Sequence, residues 1–333
     1  MTGGPPPRRD RRAWALQAGV LAGVALILWA LLAHALAALR ARGIQAGFHF
    51  LSQPAGFEIG ESWLSFDSQR SIGRAFAVGL TNTVRVALPA MVLTTVLGTA
   101  IGVGRLVRYR PARAVCAAYV EIVRNVPLLV QLLMWYFALT SLLPDAGEAW
   151  RLPGGVFLSK SGLAFPWPLS ARPQHLWPLI LDRPLLGPFN VSGGAAVTPE
   201  FLAVLLALTV YTAAFVSEVV RAGIQSVSSD QVQAAQSQGL RPRQILRWVV
   251  LPQALRVIVP SLTNQYLNLT KNSTLGVAVG YPELVSISNT VLNQTGRAFE
   301  CITVITGIYL ALSLLTSAAM NRYNTRVALR GIT

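Results

Sequence analysis

The chain has 333 residues, 53% hydrophobic and only 12% charged, with a mean hydropathy of +0.50. Soluble domains carry about a quarter charged residues, so this composition excludes an ordinary soluble enzyme and points to an integral membrane protein. The 28 Lys and Arg against 13 Asp and Glu leave a formal charge of +15. The arginines stand in short clusters between apolar runs, with no continuous basic face, which excludes nucleic acid as a partner and reads instead as membrane topology.

Arg8, Arg9, Arg11 and Arg12 make residues 1–12 a basic tail, read as cytoplasmic. Ala13–Leu39 follows without a charge. "HALA" at 34–37 resembles a cleavage site, but the apolar run exceeds the roughly 7–15 residues of a signal-peptide core, so 13–39 is read as a retained N-terminal transmembrane helix. Residues 40–80, polar and aromatic, read as a periplasmic loop.

The membrane core is placed at 81–327. Its first uncharged span is Val86–Gly104, which carries Pro89. Val126–Pro144 comes next, preceded by Tyr119–Arg124. Glu121 and Arg124 are costly in lipid and lie i,i+3 on a helix, so they are expected to pair. Phe201–Ser217 is closed by Glu218 and Arg221 at the same spacing. Val257–Thr270 is short and ends at Lys271. Cys301–Met320 completes about six spans, most of them near the 20 residues that a bilayer requires.

Placing 1–13, 105–113, 221–256 and 321–333 inside gives those segments 16 Lys and Arg in 71 residues, against 9 in 126 for 40–80, 144–200 and 273–300. The threefold higher inside density satisfies the positive-inside rule and puts both termini in the cytoplasm. Segment 144–199 holds nine of the 20 prolines together with Trp150, Trp167 and Trp177. Proline breaks helices, so an irregular extracytoplasmic insert is expected there. Cys116 and Cys301 sit in apolar runs, and His34, His49 and His175 have no second ligand at metal spacing, so neither a disulfide nor a metal site is expected.

Residues 228–252 have a different character. Ser228 suits a helix N-cap, with Gln231 completing a capping box. Gly239 suits the left-handed residue after the helix. Pro242 suits the first position of a second helix, and Leu251 before Pro252 is expected to end it. Ala234 and Ala235 permit close approach of another surface. Periodicity alone leaves two uses open: a helix pair lying along the membrane interface, or one filling a groove on a soluble partner.

The stretch "QAAQSQGLRPRQILRWVVLP" resembles the coupling-loop signature of bacterial ABC importer permeases: Glu-Ala-Ala, three residues, Gly, nine residues, Ile, any residue, Leu-Pro. Here the positions are Gln233, Ala234, Ala235, Gly239, Val249, Leu251 and Pro252. "YVEIVRNVPLLVQLL", "LTVYTAAFVSEVVRAGIQSV" and "LPQALRVIVPSLTNQYLNLTKNSTL" resemble the polar and general L-amino-acid uptake family, the histidine/glutamine-permease-like branch. The resemblance implies an all-α type I importer permease core with an extra N-terminal helix and an insert. It implies a multi-pass subunit of the bacterial inner membrane that carries L-amino acids, and three partners: an ABC ATPase dimer, a second homologous permease and a periplasmic binding protein. Membrane lipid surrounds the subunit. No cofactor is expected on this chain, since neither lysine ends a phosphate-binding G-x-x-x-x-G-K-[ST] run; ATP and Mg belong to the ATPase. The family's usual glutamate is here Gln233, a departure that weakens a charge-assisted contact and leans toward a heterodimer with unequal halves.

Asn268, Lys271 and Asn272 fall at membrane depth and are candidates for the substrate path, against the alternative of helix packing. Glu218 with Arg221, and Glu121 with Arg124, are candidates for coupling or gating, against the alternative of interfacial anchors. A secondary transporter driven by an ion gradient is the competing class. It calls for inverted repeats and a mid-membrane carboxylate, and the sequence displays neither.

Overall fold

The computed structural model describes residues 11–41, 47–168 and 181–329, and the chain divides into two units, Met1–Phe50 and Leu51–Thr333. In the first, α1 (Arg11–Ala41) is one 31-residue helix that contains all of 13–39. Most of the basic tail lies outside the described residues.

In the second unit α2 (Ile72–Gly104) starts where Ser71 Oγ accepts the Arg74 N–H at 3.3 Å. The expected loop over 40–80 therefore ends at 71. Hydropathy finds only the part of a helix that faces lipid, whereas the helix itself begins where a side chain satisfies its first amides. Residues 42–46 of that loop lie outside the described set.

The expected span over 126–144 holds a helix of only 14 residues, α4 (Leu128–Ser141), set at a sharp angle to the helix before it. Helix α3 (Arg110–Asn125) and α4 meet at 104°. Pro127 pushes Val126 into the extended region (φ −98°, ψ 126°), which ends α3. Gln131 Nε2 then donates to the carbonyls of Val123 (2.9 Å) and Val126 (3.0 Å), satisfying acceptors that the break leaves open.

The insert is built from short strands rather than irregular chain: β1 (Trp150–Leu152), β2 (Val156–Ser159), β3 (Gly162–Phe165), β4 (Trp167–Pro168), β5 (Leu181–Asp182), β6 (Leu185–Leu186), β7 (Val191–Ser192) and β8 (Ala195–Val197). An antiparallel sheet runs β1-β2-β3-β8, beside two two-stranded ribbons. The prolines exclude helix but leave two- to four-residue ladders possible between turns. Gly154 and Gly155 turn β1 into β2 at φ +84° and +74°. Strands thus stand where irregular chain was expected, and the core outside the insert is helical; Trp177 and His175 lie outside the described residues.

Helix α5 (Pro199–Gln225) opens on Thr198, whose hydroxyl accepts the Phe201 N–H at 3.1 Å. After it come α6 (Ser229–Ser237), α7 (Pro242–Ile245), one π-helical turn (Leu246–Val250) and α8 (Leu251–Asn272). A 3₁₀ segment (Ser273–Val279), α9 (Leu284–Thr295) and α10 (Ala298–Leu329) complete the chain. The expected fifth span lies inside α8, which starts earlier and ends at Asn272, one residue past Lys271, before the 3₁₀ segment; the segment read as an outer loop, 273–300, contains a helix. Among the described residues four helices are long and apolar enough to cross a membrane, and a fifth if the bent α3–α4 pair counts as one span.

Helices α2 and α5 run parallel in close contact. Thr94, Gly98 and Gly102 recur every four residues on α2. A Cβ at Gly98 would lie 2.6 Å from Val216 Cγ1 and 2.9 Å from the Ala213 carbonyl; one at Gly102 would lie 2.7 Å from the Ser217 carbonyl. In lipid, where apolar burial offers no drive between helices, such close contact supplies the attraction. Gly98→Leu is expected to lower the stability of the purified protein by about 1–3 kcal/mol through overpacking. Gly307→Ala, where an added Cβ meets nothing within 4 Å, should be near neutral in the same thermal unfolding measurement.

Candidate functional site

The hairpin forms from its sequence much as expected. Ser228 Oγ caps α6, but it accepts the Asp230 N–H at 3.2 Å, and among the described residues no reciprocal bond comes from Gln231. The Gln-to-backbone half of a capping box appears at the second helix instead, where Gln244 Oε1 accepts the Arg241 N–H at 2.8 Å. Gly239 has φ +76°. Its N–H donates to Gln236 O at 2.9 Å and the Leu240 N–H to Ala235 O at 3.2 Å, the paired bonds of a Schellman turn. Gln233 and Ala234 are exposed on α6, and Ala235 packs inward.

Pro252 does not stop the chain. Leu251 stays helical (φ −60°, ψ −45°) and α8 continues from it. The π turn is the physical reason. The Leu251 N–H reaches back to Leu246 O, five residues away, and this widened turn makes room for a ring that would otherwise clash with the carbonyl four residues earlier. The second hairpin helix and the membrane helix are thus one continuous rod, with Leu246, Trp248 and Leu251 exposed along it.

Ten residues before Ser228, on α5, Glu218 centres a charge cluster. Glu218 Oε1 receives Arg105 Nη1 at 2.5 Å, and Glu218 Oε2 receives Arg221 Nε at 3.0 Å and Nη2 at 2.9 Å. The expected Glu218–Arg221 pair is present. The expected Glu121–Arg124 pair is not: Arg124 turns toward Glu218 at 3.7 Å and lies 5.2 Å from the Phe215 ring centroid, leaving Glu121 without an ion pair among the described residues. Helical spacing alone could not foresee this, because Glu218 comes from another helix. Arg105, Glu121, Arg124, Phe215 and Glu218 line a polar cavity of about 540 Å³.

Lys271 is exposed on α8 with Asn268, and among the described residues no carboxylate lies within ion-pair distance of it. Asn272 is half-buried. Tyr266 fixes the depth of this face: its hydroxyl is 2.6 Å from Thr95 Oγ1, and Thr95 lies ten residues from both Arg85 and Arg105. Lys271 is five residues farther along, about 7.5 Å from that midpoint.

At the opposite end of the uncharged run on α2, sequence reading missed a second charged centre. Arg85 Nη1 meets Glu61 Oε1 at 2.6 Å, with the two side chains 10% and 9% exposed. The one available signal was that Arg85 immediately precedes the uncharged run Val86–Gly104. Nearby, Glu283 is fully buried and caps α9, accepting the amides of Val285 (2.9 Å) and Ser286 (2.7 Å) and the Tyr309 hydroxyl (3.2 Å). Burial pushes its carboxyl up to about 7, outweighing those hydrogen bonds, which favour the charged form.

Residues 94–329 match the family described as the binding-protein-dependent transport system inner membrane component. The chain belongs to this family. It is a multi-pass transport subunit of the inner membrane, working with a substrate-binding protein and with a separate ATPase that carries out the hydrolysis. This excludes the ion-gradient alternative. The chain is 39% identical to the general L-amino acid transport system permease protein AapQ of Rhizobium johnstonii, over 92% of this chain and 89% of that protein. It is also 39% identical to the putative amino-acid ABC transporter permease protein YhdX of Escherichia coli, over 96% and 94%. A crystal structure of an amino acid ABC transporter with histidines superposes with a TM-score of 0.56 at 25% identity, covering 76% of this chain and 94% of that one. The MetNI methionine transporter, at 20% identity and a TM-score of 0.53, shares the fold.

The Glu283 carboxyl, raised in the fold above its ordinary value of 4.5, favours folding most below pH 4.5, and that contribution falls away as pH rises toward 7. Thermal unfolding in detergent should therefore show wild type gaining on Glu283→Gln as pH is lowered from 7.5 to 5.5; a constant difference would contradict the assignment.

Proposed function

We propose that this chain is one half of an asymmetric permease pair that imports L-amino acids, with residues 228–252 as its contact to the ATPase. The relatives carry the substrate class: two proteins named for amino-acid transport match nearly end to end at 39% identity. The continuity of α7 with α8 supports the hairpin's role, since a force on α7 reaches the membrane without passing a break in the helix. In this reading both termini and the hairpin are cytoplasmic, the strand insert is periplasmic, and Mg–ATP stays on the ATPase. Gln233 in place of a carboxylate makes this half the weaker coupler, and the second permease a homologue rather than a copy.

The exposed face of α8, with Asn268 and Lys271 and the half-buried Asn272 beside them, lines the path between the two halves. A lysine at this depth without a carboxylate is costly in lipid and is accommodated by water or by a passing amino acid's carboxylate. The cavity at Glu121, Arg124 and Glu218 carries both signs of charge at the cytoplasmic end of that path.

In proteoliposomes holding the whole complex, Lys271→Met should cut amino-acid uptake at least tenfold while the complex still assembles and hydrolyses ATP. Unchanged uptake would remove Lys271 from the path. Gln233→Glu should raise ATPase activity coupled to transport, and no change would show that the missing carboxylate is irrelevant.

A further inference from the structure

Arg85 and Glu61 have no part in the path or the hairpin, yet four distant segments converge on them. Glu61 lies on the 53–71 segment, Arg85 and Asn82 on α2, Thr198 and Phe201 at the start of α5, and Tyr281 and Pro282 between the 3₁₀ segment and α9. Each of the three oxygens of Glu61 accepts a hydrogen bond. Oε1 takes Arg85, Oε2 takes the Thr198 hydroxyl at 2.5 Å, and its backbone carbonyl takes Asn82 Nδ2 at 2.8 Å. Asn82 Nδ2 is shared with Pro282 O at 3.0 Å, and Asn82 O accepts the Tyr281 hydroxyl at 2.9 Å. The Arg85 guanidinium carbon lies 5.0 Å from the ring centroids of both Trp63 and Phe201.

A nearly buried ion pair adds little stability over apolar side chains of the same size, but it fixes one geometry, because each charge is costly without the other. The geometry fixed here joins the 53–71 segment to the α2–α5 pair. That pair is packed through Gly98 and Gly102 and is held at its other end by Glu218, Arg105 and Arg221. Three residues beyond the end of α5, Ser228 begins the hairpin.

We propose that Arg85 and Glu61 are a positioning pair for transport. They make the outer segment move as one body with α2 and α5, so that docking of the substrate-binding protein at the outer face reaches the hairpin and the ATPase. The pair binds neither substrate nor nucleotide. The inference rests on the importer reading above.

The test uses the complete complex in lipid nanodiscs, with ATPase activity measured with and without the loaded binding protein. Glu61→Gln keeps the shape and removes the charge. Glu61→Gln with Arg85→Gln leaves no unpaired charge behind, so it folds even where the single variant does not. In both, basal ATPase activity should stay within about twofold of wild type, while stimulation by the binding protein falls to less than a third and the binding protein still docks. Stimulation equal to wild type in the double variant overturns the proposal. Loss of basal and stimulated activity together, with a disassembled complex, also overturns it and makes the pair merely structural. A wild-type complex that no amino-acid-loaded binding protein stimulates overturns the importer reading itself, and the pair's role with it.

Discussion

The structure is organised around the cost of a charge in lipid. Between Arg85 and Arg105 helix α2 carries 19 uncharged residues, about 28 Å of helix, close to the thickness of a bilayer's hydrocarbon core. Both bounding arginines are neutralised, one by Glu61 and the other by Glu218. Because α5 runs parallel to α2, the same two levels bracket it, from Phe201 beside Arg85 to Glu218 beside Arg105. Charge therefore sets the depth of the central helix pair, and glycine sets how closely its two members approach.

From that pair the remaining elements follow. Helix α4 packs Leu128 and Leu132 against α5, and the sheet rests its Leu163, Phe165 and Val197 on the start of α5. Helix α8 packs Ala254, Ile258 and Leu262 against Val216 and Val220 of α5 and anchors to α2 through Tyr266 and Thr95. Its other face stays open and polar, which is unusual at this depth unless water or another chain meets it. The proposed pairing of two permeases around a path would supply that setting.

The sequence was most legible where a residue acts on its own neighbours. Gly239 and Pro242 shaped their turns as their chemistry dictates, and the uncharged runs found the spans. It was least legible where a distant segment decides. Arg124 looked like a partner for Glu121 three residues away, and a carboxylate on α5 claimed it instead. Pro252 looked like a stop, and a widened turn that no propensity encodes carried the helix through it. Among the described residues of 144–198 the prolines excluded α-helix, but they did not reveal strands of two to four residues, whose pairing is long-range. Glu61 and Arg85, 24 positions apart, carried no local sign that they meet.

The role of the hairpin is tested most directly by placing a photo-crosslinking amino acid at Ala234, exposed on α6, in the native host and irradiating intact membranes. The account predicts a crosslink to an ATP-binding subunit, one that disappears when the crosslinker is moved to the lipid-facing Val92 of α2. Crosslinks from position 234 to lipid alone would make the hairpin an interfacial element and would contradict the coupling mechanism.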